Sequence, residues 1–221
     1  MSYQTAEEQK LKQQVSDLTT MVHQLIFELD KVVPNHSQTI RVTNSLKNRG
    51  LHNMKLAART FALGAHGDQK YGKSLYSIHL DQVAEIVSPY GEKAEVLAHL
   101  HDVGEDTHVP AVRIREIFGS EIAEGVRILT DGEGESRTER KQKTYAKMAK
   151  VSPEYFWALI VKVADRLANV RACIAPETAS PKKLAMYRDE HLAFKEAVYR
   201  EGLCDELWVE LDHLLLQVTK C

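Results

Sequence analysis

The sequence predicts an all-α fold, a helical bundle carrying an added N-terminal amphipathic helix. From Asn53 onward apolar residues recur at helical spacing almost without interruption. No segment shows the strict alternation of a half-buried strand, and the breaks fall at turn-forming residues. With 221 residues, 43% of them apolar, the chain can bury a full core and lacks the composition of disorder.

The elements follow in order. Leu11, Val15, Leu18, Val22, Leu25, Leu29 and Val32 alternate steps of four and three, the seam of a helix that packs on another helix, and Pro34 with Asn35 closes it. Two readings stay open for this helix: an element laid on the domain's own surface, or a short coiled coil that makes a homodimer. Residues 35–50 are polar and read as a connector, which divides the chain into an N-terminal helix and connector at 1–50 and a main domain at 51–221. Within the domain the pattern predicts helices near 54–67, 79–89, 92–104, 111–117, 119–130, 137–150, 153–174, 181–201 and 203–219. Pro89 and Gly91, Pro110, Gly132 and Gly134, Pro153, Pro176 and Pro181 punctuate them. Ser136 followed by Glu139 reads as a capping box at the start of the helix near 137.

A formal net charge of -2 argues against a general nucleic-acid binder, which needs a positive excess to neutralise phosphates. The three cysteines, Cys173, Cys204 and Cys221, are odd in number and far apart, so they support neither a disulfide framework nor a zinc ribbon. No apolar run approaches the roughly 18 residues that span a bilayer, and the polar N-terminus lacks a leader pattern. These features set the expectation of a soluble, unprocessed cytoplasmic protein with no membrane and no nucleic-acid partner.

The chemistry concentrates at residues 97–107 (LAHLHDVGEDT), where two histidines and three acids interrupt an apolar helical pattern. On a continuous helix His101 and Glu105 lie one turn apart, and Asp102 and Asp106 do so beside them, so all four line one edge. An isolated His-Asp pair is more often a hydrogen-bonded core histidine than a ligand. This pair has company. His79 opens an amphipathic helix, and Asp165 interrupts the apolar stretch 159–169 (LIVKVADRLAN), where a buried acid needs a partner. Two imidazoles and two carboxylates form a mixed nitrogen and oxygen shell for a divalent ion, with positions left for water and substrate.

These residues resemble the H…HD…D signature of the HD-domain phosphohydrolases, and most closely the hydrolase domain of the RelA/SpoT group and its small stand-alone members. The matching strings run in the family's order: Ala65-His66-Gly67 leading to Tyr76 and His79; His101-Asp102-Val103-Gly104-Glu105-Asp106-Thr107; Phe118-Gly119; and Val161-Lys162-Val163-Ala164-Asp165-Arg166-Leu167-Ala168-Asn169-Val170-Arg171. The resemblance implies an HD helical bundle that removes the 3′-pyrophosphate from the alarmone (p)ppGpp, generally with Mn2+. It implies that His79, His101, Asp102 and Asp165 hold the metal, that Glu105 and Asp106 orient and deprotonate the attacking water, and that Asn169 meets the sugar. Tyr76 falls among the substrate contacts by the same match. The chain departs from the family at Gly67-Asp68-Gln69-Lys70-Tyr71-Gly72-Lys73-Ser74-Leu75-Tyr76, one residue shorter than G-Q-x-R-x-S-G-E-P-Y and without the arginine that flanks the base. Gly104 replaces the second valine of H-D-V-V-E-D, and Leu80 replaces the proline after the first histidine.

A basic run of Arg137, Arg140, Lys141, Lys143, Lys147 and Lys150 stands out in a near-neutral chain. Such a run is usually a solvated face. The family places an R…K pair here on the phosphate side, which points to Arg140 and Lys143, with Lys141 as the alternative. Lys70 and Lys73, in the loop before His79, are candidates for a second phosphate. Tyr187 is a candidate for stacking a base, while Phe194, Trp157 and Trp208 read as core. His66, at a helix end, helps shape the cleft.

The leading reading is a small alarmone hydrolase; 221 residues leave no room for the synthetase domain of the long bifunctional members. An HD nucleotidase acting on nucleoside monophosphates or another phosphoester is the second. A non-catalytic nucleotide-sensing module is the third, and the presence of Glu105 and Asp106 counts against it.

Overall fold

The structure, a computed structural model, describes residues 54–216. The heptad segment at 11–32, the connector at 35–50 and the end of the last expected helix at 217–219 lie outside the described residues. The described chain is helical as expected: α1 (Met54–His66), α2 (Tyr76–Val87), α3 (Glu92–Leu100), α4 (Val103–Asp106), α5 (Ala111–Phe118), α6 (Ser120–Leu129), α7 (Arg137–Met148), α8 (Phe156–Ile174), α9 (Pro181–Val198) and α10 (Asp205–Leu216).

α8 is the axis of the bundle. Ala158, Leu159, Val161, Ala164, Leu167 and Val170 point in different directions around it, yet all are fully buried. A helix apolar on every side must be enclosed, and α2, α3, α6, α9 and α10 all pack against it. Each leucine so buried contributes about 1.5–3 kcal/mol, which is the gain that holds the charged residues of α8 in the interior.

Three local features differ from the sequence expectation. Lys70–Tyr71 (β1) and Ser74–Leu75 (β2) form an antiparallel hairpin, with Lys70 paired to Leu75 and Tyr71 to Ser74. Two-residue strands are too short for alternation to register, and the signal present was Gly72, whose φ of +64° suits the first position of a tight hairpin turn. Second, α2 starts at Tyr76, after extended Leu75, so His79 sits one turn inside the helix instead of opening it. Third, the helix expected over 92–104 breaks at His101-Asp102, and Asp102 adopts φ -99°, ψ -4°. That break interrupts the single continuous helix on which the expected edge of His101, Asp102, Glu105 and Asp106 rested.

Ser136 caps α7, its Oγ accepting the Glu139 amide, while the Glu139 carboxylate accepts from the Glu135 amide. Among the described residues no helix is long and apolar enough to cross a membrane.

Candidate metal centre and phosphate cavity

Four side-chain atoms from three elements converge on one point. His79 Nε2, from α2, lies 3.3 Å from Asp165 Oδ1 on α8 and 3.7 Å from Asp102 Oδ2. His101 Nε2 lies 3.0 Å from Asp102 Oδ2 and 3.7 Å from Asp165 Oδ1. The histidines are buried and the carboxylates largely so. His101 Nδ1 is 2.7 Å from the Ala98 carbonyl, which can only accept, so Nδ1 carries a proton and Nε2 is the ring atom that faces the cluster. His101 Nε2 is buried and makes no hydrogen bond.

The electrostatics describe a place for a cation. Burial alone lowers the His101 pKa, but Asp102 and Asp165 outweigh it and raise it to about 10. Burial alone raises both carboxylates, yet His101 beside Asp102, and Lys162 with the imidazoles beside Asp165, hold them well below the usual range. Two carboxylates and two imidazole nitrogens aimed at one point require a proton or a metal between them. Two nitrogen and two oxygen donors with no thiolate suit a divalent ion of intermediate or hard character, and the donor set fits such a group.

Partners fix the cluster from outside. Tyr76 Oη donates to Asp102 Oδ2 at 2.5 Å. Asn169 Nδ2 donates to Asp165 Oδ1 at 2.6 Å, and Asn169 Oδ1 accepts from Tyr71 Oη at 2.8 Å. The Tyr71 ring stacks on His79, with centroids 4.7 Å apart.

A cavity of about 220 Å³ opens on this cluster. Tyr76, His79, Asp102, Asp165, Asn169 and Tyr187 line it, together with Glu105 and Asp106. Glu105 accepts the Asp131 amide at 3.0 Å; it keeps solvent access, but surrounding protein raises its carboxyl above the ordinary value. Asp106 accepts from Gln69 at 2.9 Å.

Four cations also line it: Arg137, Lys141, Lys162 and Arg166. Lys141 and Arg137 lie one turn apart on α7, whereas Arg140 and Lys143 point away, to the carbonyls of Gly134 and Glu133. The sequence reading chose one α-helical face and the cavity presents the neighbouring one. Lys70 and Lys73 are exposed on the hairpin and do not line the cavity. Sequence reasoning passed over Lys162 and Arg166 as site residues. Their signal was two cations within the buried, mostly apolar stretch of α8, flanking Asp165. Lys162 Nζ is 3.3 Å from Asp165 Oδ2, and Arg166 packs over Phe194 at 4.0 Å while donating to Glu190 and the Tyr145 hydroxyl. Phe194 and Trp208 are buried as expected, and Trp157 packs against the core partly exposed.

Residues 54–191 match the family model described as HD domain. A probable guanosine-3′,5′-bis(diphosphate) 3′-pyrophosphohydrolase of Synechocystis sp. is 31% identical over 170 residues, covering 74% of this chain and 22% of that protein. The guanosine-3′,5′-bis(diphosphate) 3′-pyrophosphohydrolase MESH1 of Danio rerio is 30% identical over 136 residues, covering 58% of this chain and 74% of the relative. The chain thus spans about a fifth of the first relative and three quarters of the second. A solved structure described as a metazoan ortholog of SpoT that hydrolyses ppGpp superposes with a TM-score of 0.62 at 24% identity, over 74% of this chain and 94% of that one. That likeness is one of fold.

Proposed function

This chain belongs to the HD-domain family, and from that premise we propose that it is a metal-dependent phosphohydrolase removing the 3′-pyrophosphate of a guanosine 3′,5′-bis(diphosphate)-type nucleotide. The observation that carries the reading is the convergence of His79, His101, Asp102 and Asp165 within 3.0–3.7 Å beside a cavity lined by both carboxylates and cations. In this reading those four residues hold the ion, and Mn2+ suits their mixed donors. The chemistry a divalent ion supplies in such a shell is acidification of water and polarisation of a phosphoryl oxygen.

The chain's own groups do the rest. Glu105 and Asp106 orient the attacking water and take its proton as the oxygen adds to the phosphorus bonded to the ribose 3′ oxygen. The bond from that phosphorus to the 3′ oxygen breaks, the 3′ oxygen is protonated, and pyrophosphate departs intact. Arg137, Lys141, Lys162 and Arg166 neutralise the phosphates, and the guanidinium groups offer paired donors to their oxygens. Asn169 meets the sugar. Beyond the Tyr71–Asn169 pair a second cavity of about 630 Å³, lined by Tyr71, Ser74, Ala168 and Ala172 among others, receives the base. Tyr187 closes the first cavity beside Arg166.

Incubation of purified protein with ppGpp, pppGpp, pppApp and nucleoside monophosphates, with Mn2+ or EDTA, tests this. Intact pyrophosphate released only with metal, and not by Asp102→Ala, is expected. Orthophosphate from a monophosphate makes the protein a nucleotidase, and binding without turnover makes it a sensor. The same proposal places the protein in the cytoplasm and assigns the heptads at 11–32 to a homodimer seam. Sedimentation of the full chain against one starting at Leu51 tests that seam, and identical monomers would overturn it.

A further inference from the structure

His66 and Gln69 have no place in the chemistry described so far, although they connect directly to it. α1 ends at His66 because Gly67 adopts φ +53°, the left-handed conformation that stops a helix. The chain then folds back: the Gln69 amide donates to the His66 carbonyl at 3.0 Å, and the Tyr76 amide donates to the Gln69 carbonyl at 2.9 Å. Gln69 is therefore clamped at its backbone between the end of α1 and the start of α2. Its side chain bridges two others, with His66 Nδ1 2.8 Å from Oε1 and Asp106 Oδ2 2.9 Å from Nε2.

The direction of these bonds is fixed from one end. A carboxylate only accepts, so Gln69 must present its NH2 to Asp106; its carbonyl then faces His66, which must donate through Nδ1. Burial lowers the His66 pKa, which favours the neutral ring with its single proton so placed. The ring is buried and stacks on Tyr76 at 4.5 Å, the residue whose hydroxyl holds Asp102. A buried anchor, an amide linker and an exposed carboxylate thus form one rigid array.

We infer that Gln69 is a positioning residue for Asp106, and that His66 orients Gln69 in turn. The array holds Asp106 Oδ2 and leaves Oδ1 to meet the attacking water. This rests on the reading of Asp106 as the residue that handles that water.

Gln69→Glu discriminates this from a purely structural role. The substitution is isosteric and its carboxylate still accepts from His66, but it cannot donate to Asp106. A structural role tolerates it. Positioning does not: kcat is expected to fall on the order of tenfold to a hundredfold, since misplacing a reacting group by about 1 Å costs as much as about 100-fold, while KM changes little. His66→Asn keeps a donor where Nδ1 stood and is expected to retain most of kcat. His66→Phe keeps the ring on Tyr76, removes the donor and is expected to lose kcat. Wild-type kcat in Gln69→Glu, or His66→Phe outperforming His66→Asn, overturns the proposal. If the wild-type protein releases pyrophosphate from no nucleotide, the functional reading fails separately. The array is then tested by melting temperature, with Gln69→Leu and Asp106→Ala expected to be less than additive; additive shifts overturn it.

Discussion

Tyr71 donates its hydroxyl to Asn169 Oδ1 across 2.8 Å, joining the hairpin to the bundle's central helix over 98 residues of sequence. The other face of the Asn169 amide is committed to Asp165, so this bond sets which way Asn169 presents itself. A net hydrogen bond is worth about 0.5–1.5 kcal/mol. Tyr71→Phe is therefore expected to raise the nucleotide KM by roughly 2- to 10-fold with metal content unchanged. Steady-state kinetics alongside metal analysis checks this, and an unaltered KM would mean that the pair does not orient Asn169.

The basic helix offers a sharper contrast. Arg137 and Lys141 line the cavity, where they are paired with Glu190 and Asp131, whereas Arg140 and Lys143 face the loop before the helix. Charge-assisted bonds are worth about 1.5–3 kcal/mol, so Arg137→Gln or Lys141→Gln is expected to weaken substrate binding by roughly 10- to 100-fold. Arg140→Gln and Lys143→Gln are expected to leave it near wild type. Inhibition constants for inorganic pyrophosphate measured on all four variants separate the two faces.

His99 supplies a pH dependence of stability in a window of its own. Burial lowers its pKa to about 4, more than nearby Asp81 can restore. In the unfolded chain it returns to about 6.5, so between those values the unfolded state binds the extra proton. Stability from this group is fully present above pH 6.5 and is lost as pH falls toward 4. The difference corresponds to about 3 kcal/mol. Carboxylates held low by cations, such as Asp131 beside Lys141 and Glu190 beside Arg137, weaken the fold only at more acidic pH. Urea midpoints at pH 7 and pH 4.5 are expected to differ less in His99→Leu than in wild type. Equal slopes would remove His99 from the account.

How much of this was legible in the sequence depends on how expensive each residue is in its place. His79, His101, Asp102 and Asp165 stood out because apolar helices rarely carry such groups without a partner, and the structure brings them together. Lys162 and Arg166 carry the same signal and were passed over because attention fell on the acid between them. The choice between Arg137 with Lys141 and Arg140 with Lys143 was not legible, since a run of cations satisfies several helical faces at once. The hairpin escaped because two residues per strand are too few for a period, and with it went the inward turn of Tyr71 and the outward turn of Lys70. The break at His101-Asp102 has no sequence mark beyond the acids themselves.

The most direct measurement of the central claim is Mn2+ binding to EDTA-stripped protein, followed by the electron paramagnetic resonance signal of the free ion. A single tight site per chain, lost in both Asp102→Ala and Asp165→Ala while each variant stays folded by circular dichroism, is the expected result. Wild-type protein that takes up no metal, or an Asp102→Ala variant that binds it as tightly as wild type, would contradict the metal centre on which the proposed hydrolysis depends.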